Sequence, residues 1–156
     1  MNSKIFEFTN NGDSFVITGV NTPKSWCNYL WSRQGYIARV SHTGHGASYY
    51  INEKADMCRL NNNDVRYLYL RDDDTKMCWN IGQGPLLAPV SNYKCEHHIC
   101  HTTLESEKDA IRAWLRIFVP IDGFCEIWTL KVKNSSRQTR NLSIFTAVNF
   151  DLEGFN

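Results

Sequence analysis

The chain has 156 residues, 42% of them apolar and 13% aromatic, which is enough for one domain with its own core. Its formal net charge is +1, from charges of mixed sign, so no basic field is available to hold a nucleic-acid backbone. No stretch approaches the ~20 apolar residues of a membrane helix, and Lys4, Glu7 and Asp13 break any leader-like run at the start.

The elements read in chain order as short strands broken by turn chemistry. Phe15 to Thr18 is β-branched and stops at Gly19. Tyr36 to Ser41 and Ala47 to Ile51 flank Thr43-Gly44-His45-Gly46, a turn able to supply positive φ. Arg66 to Arg71 alternates Tyr67 and Tyr69 against Leu68 and Leu70, then meets Asp72-Asp73-Asp74, read as a solvated turn. Met77 to Trp79 precedes Gly82, Gly84 and Pro85, and Tyr93 to Leu104 reads as one long alternating strand. In Ala110 to Val119 the apolar residues Ile111, Ala113, Leu115, Ile117 and Val119 share a face at period two, which favours a strand over a helix. Phe124 to Lys133 and Leu142 to Phe150 alternate likewise, with a turn at Asn134-Ser135-Ser136, so the last three segments are expected to form an antiparallel meander. Apolar residues on both faces of several strands predict an all-β fold, an antiparallel β-sandwich.

Six cysteines without a secretion signal predict reduced thiols and a cytoplasmic protein. Cys95-Glu96-His97-His98-Ile99-Cys100-His101 holds the donor types of a zinc site. On one strand, however, Cys95, His97 and His101 face opposite to His98 and Cys100, and only a sharp bend unites the two sets. No metal site is expected there. The Asp72-Asp73-Asp74 run lacks the spaced acids of a calcium loop. Glu126, Asp122, Asp151 and Glu153 are the acids available for glycosidic chemistry; nothing pairs them, and they read as surface acids. No Gly-x-Ser-x-Gly elbow exists, and Cys58, Cys78 and Cys125 sit in apolar contexts where thiols are inert. Trp26, Tyr29, Trp31, Tyr36, Tyr49 and Tyr50 cluster in sequence. Such flat faces with polar tips suit sugar rings when exposed and a core when not.

The order of motifs resembles the N-terminal region of the cellobiose-phosphorylase family. Asn21-Thr22-Pro23 with Trp26 and Asn28-Tyr29-Leu30 resembles its Thr-Pro-x-x-Trp-x-Asn-Tyr-Leu. Ser41, Gly44, Gly46, Ser48 and Tyr50 resemble its Ser-x-x-Gly-Gly-x-Ser-x-Tyr strand. Arg59 and then Arg66-Tyr67-Leu68-Tyr69-Leu70-Arg71-Asp72 follow its Arg-Tyr-x-Tyr-x-Arg-Asp, with Thr75 and Trp79 after it. Tyr93 to Thr102 places His97 on the family histidine, and Phe118-Val119-Pro120, Glu126-Ile127-Trp128 and Arg140-Leu142-Ser143-Phe145 complete the series. The likeness runs from about residue 14 to 153. It departs at His98 and Cys100, where the family commonly has Gly, and at Ile51 to Asn63, which lacks the usual Lys-Asp-x-Arg start.

The resemblance implies part of a galactose-mutarotase-like supersandwich. Residues 1–156 would be a single domain, truncated, the first part of a longer N-terminal domain that precedes an (α/α)6 catalytic barrel. It implies a parent enzyme that cleaves a β-linked glucoside with inorganic phosphate, inverting, to give α-glucose 1-phosphate. The general-acid Asp lies on the barrel, so no catalytic residue is expected in this chain. No cofactor or metal is implied beyond phosphate as co-substrate. The partners implied are a β-linked gluco-oligosaccharide, the catalytic barrel and a second copy in a homodimer, with no nucleic acid and no membrane. Trp26, Tyr50, Arg59 and His97 are the candidate substrate-binding residues. The alternative is a stand-alone carbohydrate-binding or structural, dimerising β-sandwich module.

Overall fold

The computed structural model describes residues 5–151. Its strands are β1 Phe6–Thr9, β2 Ser14–Ile17, β3 Cys27–Trp31, β4 Tyr36–Ser41, β5 Gly46–Ile51, β6 Met57–Arg59, β7 Asn61–Asp72, β8 Cys78–Asn80, β9 Ser91–His98, β10 His101–Lys108, β11 Ile111–Phe118, β12 Ile127–Asn134 and β13 Leu142–Phe150. They form a six-stranded sheet, β1-β2-β9-β10-β11-β12, a four-stranded sheet, β3-β4-β5-β6, and a three-stranded sheet, β13-β7-β8, with antiparallel pairing throughout. The all-β reading therefore holds.

Period-two patterning explains the layering. Ile111, Ala113, Leu115 and Ile117 on β11 are buried while Arg112 and Arg116 are exposed, as alternation requires. They meet Leu104 of β10, Ala38 and Val40 of β4, and Leu70 of β7 in one core that draws on all three sheets. The backbone bond from Leu60 to the Ser48 carbonyl (2.9 Å) ties β7's entry to β5, so the two smaller sheets form the layer opposite the large one. Between β4 and β5, Gly44 takes the positive φ the sequence anticipated.

Two expectations about strand pairing are corrected. Tyr93 to Leu104 is not one strand: the chain reverses at Ile99-Cys100, and β9 pairs with β10, His97 opposite Thr102. The last three segments are not a meander either. β11 pairs with β12, but β13 leaves that sheet and pairs with β7, Phe145 opposite Tyr69. The cause is a polar grip on the chain between β12 and β13. Asp73 N–H donates to the Asn141 carbonyl (2.8 Å), Ser143 Oγ donates to Asp73 (2.5 Å), Asn141 Nδ2 donates to Asp74 (3.1 Å), and Arg140 donates to Asp72. The aspartate run is thus a docking turn rather than a solvated one. Asp72 itself is buried, and N–H groups of Thr75 and Asp74 together with Arg140 hold its carboxyl down at about 2.

At the other end of the same strand face, Arg66 is also buried. Its Nη1 donates to Glu126 Oε2 (2.5 Å) and Ser48 Oγ (3.2 Å), its Nη2 to the Arg39 carbonyl (2.9 Å), and its guanidinium lies 5.5 Å from the Trp128 ring centroid. Glu126, expected as a surface acid, is the counter-charge of this guanidinium. Burial pushes its carboxyl up against the pull of Arg66. The approach depends on Gly46, since a Cβ there would sit 1.8 Å from the Arg39 carbonyl oxygen and 3.0 Å from Arg66 Nη2.

Two outcomes follow for stability. Glu126→Ala leaves the buried guanidinium uncompensated and is expected to lower the unfolding free energy by about 3–5 kcal/mol, with most of that loss recovered in R66M/E126L; urea titration of the cycle checks this. Gly46→Ala forces backbone against backbone and is expected to destabilise by several kcal/mol, read as a fall in the urea midpoint.

Candidate functional site

A convergence of polar side chains joins the edge of the four-stranded sheet to β9 and β10. The buried ring of His97 stands at its centre. Trp26, in the loop before β3, offers a carbonyl that can only accept, 3.3 Å from His97 Nε2. That places the imidazole proton on Nε2 and leaves Nδ1 to accept from Thr102 Oγ1 at 2.9 Å. Thr102 in turn accepts from Asn28 Nδ2 (3.2 Å), which also donates to the His98 carbonyl (2.7 Å). His42, after β4, receives the Trp26 N–H on Nδ1 (3.3 Å) and donates from Nε2 to the Val20 carbonyl (3.0 Å), while the Tyr93 hydroxyl donates to the His42 carbonyl.

This junction holds its histidine neutral. Burial drives His97 down to about 4, and the neighbouring His42 and His98 imidazoles act in the same direction. Burial pushes the neighbouring Cys95 thiol far above its usual range, so the nucleophilic thiolate is suppressed. Both ring nitrogens of His97 are spent on protein partners, and the arrangement fixes two sheets together instead of presenting a base.

The four candidate residues do not share one cleft. Trp26 and His97 touch. The Trp26 ring packs edge-on against Phe6 (5.4 Å) and Phe15 (5.5 Å), so it is a half-buried anchor. Tyr50 lies elsewhere on β5, 6.0 Å from the Phe124 ring. Arg59 faces Tyr49 across β5–β6 while Tyr50 faces Cys58, so Tyr50 and Arg59 occupy opposite faces of the sheet. Arg59 Nε donates to the Asn61 carbonyl at 2.7 Å.

The Cys95–His101 cluster does contain the sharp bend that a single strand lacks. What the bend assembles is a stack of the His98 and His101 rings at 4.1 Å, with Arg116 Nη2 donating to His101 Nδ1 (3.3 Å). Burial, His98 and Arg116 together drive His101 down to about 4. Among the described residues no three His, Cys, Asp or Glu side chains are grouped to hold a metal ion, and all six cysteines are free thiols. Of the four acids, Glu126 is committed to Arg66. Asp122 stands exposed 3.9 Å from Arg33, Asp151 N–H donates to the Leu60 carbonyl (3.0 Å), and Glu153 lies outside the described residues. Residue-type reasoning gave no site role to Tyr93, Asn28 or Thr102. The available signal was phase: Thr102 shares its strand face with Leu104, and His97 with Cys95.

Neutral burial of His97 has a signed consequence. With its folded value near 4 and an unfolded value near 6.5, the unfolded chain takes the proton first. The stability from His97 is complete above about pH 6.5 and is lost as the pH falls toward about 4. Urea midpoints from pH 7 to pH 4 are expected to fall more steeply for the native protein than for H97Q, and the His97 ring resonances should titrate near 4; titration near 6.5 removes the effect.

The profile of the glycosyl hydrolase 94 supersandwich domain matches residues 13–154. Solabiose phosphorylase of Paenibacillus borealis is 35% identical over 156 residues, covering 95% of this chain and 20% of its own length. The 3-O-beta-D-glucopyranosyl-beta-D-glucuronide phosphorylase of the same organism is 36% identical over 146 residues, covering 94% of this chain and 18% of its own. The N,N'-diacetylchitobiose phosphorylase of Vibrio proteolyticus is 31% identical over 151 residues, with 92% and 19% covered. The chain thus spans about one fifth of the length of the relatives it matches. With strands, core and motif order all in agreement, the chain belongs to the glycosyl hydrolase 94 family, as a supersandwich domain.

Proposed function

We propose that the protein carrying this chain is a glycoside phosphorylase and that this sandwich is its non-catalytic N-terminal support. The observation that carries the reading is the match over residues 13–154 to a domain whose similar proteins are all phosphorylases of glycosides. The commitment of His97, His42, Glu126 and Asp72 to internal bonds supports the absence of catalytic chemistry here. In the proposed reaction an oxygen of inorganic phosphate attacks the anomeric carbon of a β-linked glucoside from the face opposite the leaving group. The glycosidic bond breaks, its oxygen takes a proton from a single carboxylic acid on a separate barrel, and α-glucose 1-phosphate and the second sugar are released. Phosphate takes the place of activated water, so one acid suffices and no cofactor is needed.

In this reading the apolar, half-open face of β13, where Ile144 is 54% and Phe150 76% exposed, packs against more of the same protein. Exposed large apolar residues in a row fit such a contact. Trp26 and His97 fix the sheet junction, and Tyr50 remains the residue proposed to wall a sugar pocket, with Arg59 on the opposite face of the sheet outside it. A cytoplasmic homodimer completes the proposal. No helix among the described residues is long and apolar enough to cross a membrane.

The test is phosphorus NMR of the protein with phosphate and a panel of β-linked disaccharides. A new α-sugar 1-phosphate signal with matched release of the second sugar is expected. Sugar release independent of phosphate, or none from any β-linked disaccharide, overturns the reading.

A further inference from the structure

At the tip of the β9–β10 hairpin, two residues carry a ring stack and a backbone clamp together. The rings of His98 and His101 stack at 4.1 Å, 18° from parallel. Their carbonyls are two that Asn28 Nδ2 grips from edge strand β3, at 2.7 Å for His98 and 3.3 Å for His101. The same amide reaches Thr102 Oγ1 (3.2 Å), and Thr102 continues to His97. Between the two histidines the chain reverses through Ile99 and Cys100, both exposed. The ring stack spans this turn, so the distance between the two gripped carbonyls is tied to it.

The arrangement requires a neutral His101. Arg116 Nη2, on β11, lies 3.3 Å from His101 Nδ1. A guanidinium only donates, so Nδ1 accepts and the ring proton sits on Nε2. Cys100 Sγ stands 3.5 Å from the same nitrogen. A second proton on His101 must go to Nδ1, where it sets a donor against a donor and a cation beside the Arg116 charge. Turning the ring away relieves both, and it parts His101 from His98. The charges around the two rings differ. Glu96 Oε1 stands 3.3 Å from His98 Nε2, with Lys94 2.8 Å from Glu96 Oε2, and Asp13 and Cys27 line the surface beside His98. Across β11, His101 meets Arg116 and pairs with the uncharged Phe118. His97 points to the opposite face of β9. Burial, then His98 and Arg116, hold His101 down to about 4, with Glu96 opposing. The unfolded tip, near 6.5, takes the proton first. The closed tip is therefore fully favoured above about pH 6.5 and loses that advantage as the pH falls toward about 4.

We propose that the His98–His101 stack is an acid-operated latch on the β3 edge. Protonation of His101 at Nδ1 parts the rings, shifts the His98 and His101 carbonyls, and releases the Asn28 side chain. Strand β3 then loosens from the hairpin, while the Arg66–Glu126 and Asp72–Arg140 pairs elsewhere in the domain stay closed. The latch stands on the geometry of the hairpin tip and does not depend on the phosphorolytic reading.

The test is hydrogen–deuterium exchange, read by mass spectrometry, on the protein carrying this chain at pH 7 and pH 4, with rates corrected for the pH dependence of exchange in unstructured peptides. Peptides covering residues 27–31 and 98–101 are expected to lose protection at least tenfold at pH 4 in the native protein, while those covering β11 keep theirs. His101→Phe retains a flat ring for the stack but cannot be protonated, and its two peptides should stay within about twofold of their pH 7 protection. His101→Lys places a permanent cation there and should show the loosened pattern already at pH 7. Undiminished protection of residues 27–31 in the native protein at pH 4 overturns the latch. So does equal loosening of H101F and the native protein, which assigns the acid response to His97, present in both. H101K as protected as the native protein at pH 7 also overturns it. The comparison of the native protein with H101F decides the matter even where H101K does not fold.

Discussion

The inward face of β7 carries a charge at each end, with Leu68 and Leu70 between them. Arg66 and Asp72 are both buried there, and a buried charge is tolerated only when paired and hydrogen-bonded. Each finds its counter-charge far along the chain, Arg66 in Glu126 and Asp72 in Arg140. The first pair holds the segment that leads into β12; the second holds the segment that leads into β13. The path of the final third of the domain therefore depends on one strand face placed early. Such pairs add little net stability compared with an apolar core of the same shape. Their value here is register, because Arg140 at Asp72 selects β7 over β12 as the partner of β13.

The second seam, between the four-stranded and six-stranded sheets, uses imidazole, hydroxyl and amide hydrogen bonds in place of an ion pair. His97 links the Trp26 carbonyl to Thr102, and His42 links the same loop to Val20. Every imidazole nitrogen in that chain of bonds has a protein partner. The same residue types that would attract attention as a catalytic base or metal ligands are thus consumed in joining strands. This is the physical ground for the proposed supporting role: His97, Thr102, Glu126 and Asp72 are committed to partners inside the domain.

Alternation at period two was enough to read most strands and the all-β class, and in β11 it located the buried residues one by one. It failed where the decisive information was not local. The reversal between His98 and His101 carries no Gly, Pro or Asn, so the hairpin read as a continuous strand. The pairing of β13 was decided by Arg140, Asn141 and Ser143 meeting an aspartate turn about seventy residues earlier, which no window of sequence displays. Arg66 and Asp72 did show their fate through phase, since both fall in step with Leu68 and Leu70, but their partners did not. Motif likeness singled out Trp26 and His97 together, and the structure does join them; it could not tell that the joint is made by a backbone carbonyl and not by the indole.

The span of the Arg66–Glu126 pair, 60 residues of chain, has a consequence during synthesis. At about 5–20 residues per second, Glu126 is added roughly 3–12 s after Arg66, and until then the inward face of β7 has its guanidinium but not its carboxylate. Contacts this distant in sequence form late because loop closure must precede them. The nascent chain must therefore keep that strand face open to water, or against a chaperone surface, for seconds, and the domain becomes cooperative only when its last strands arrive.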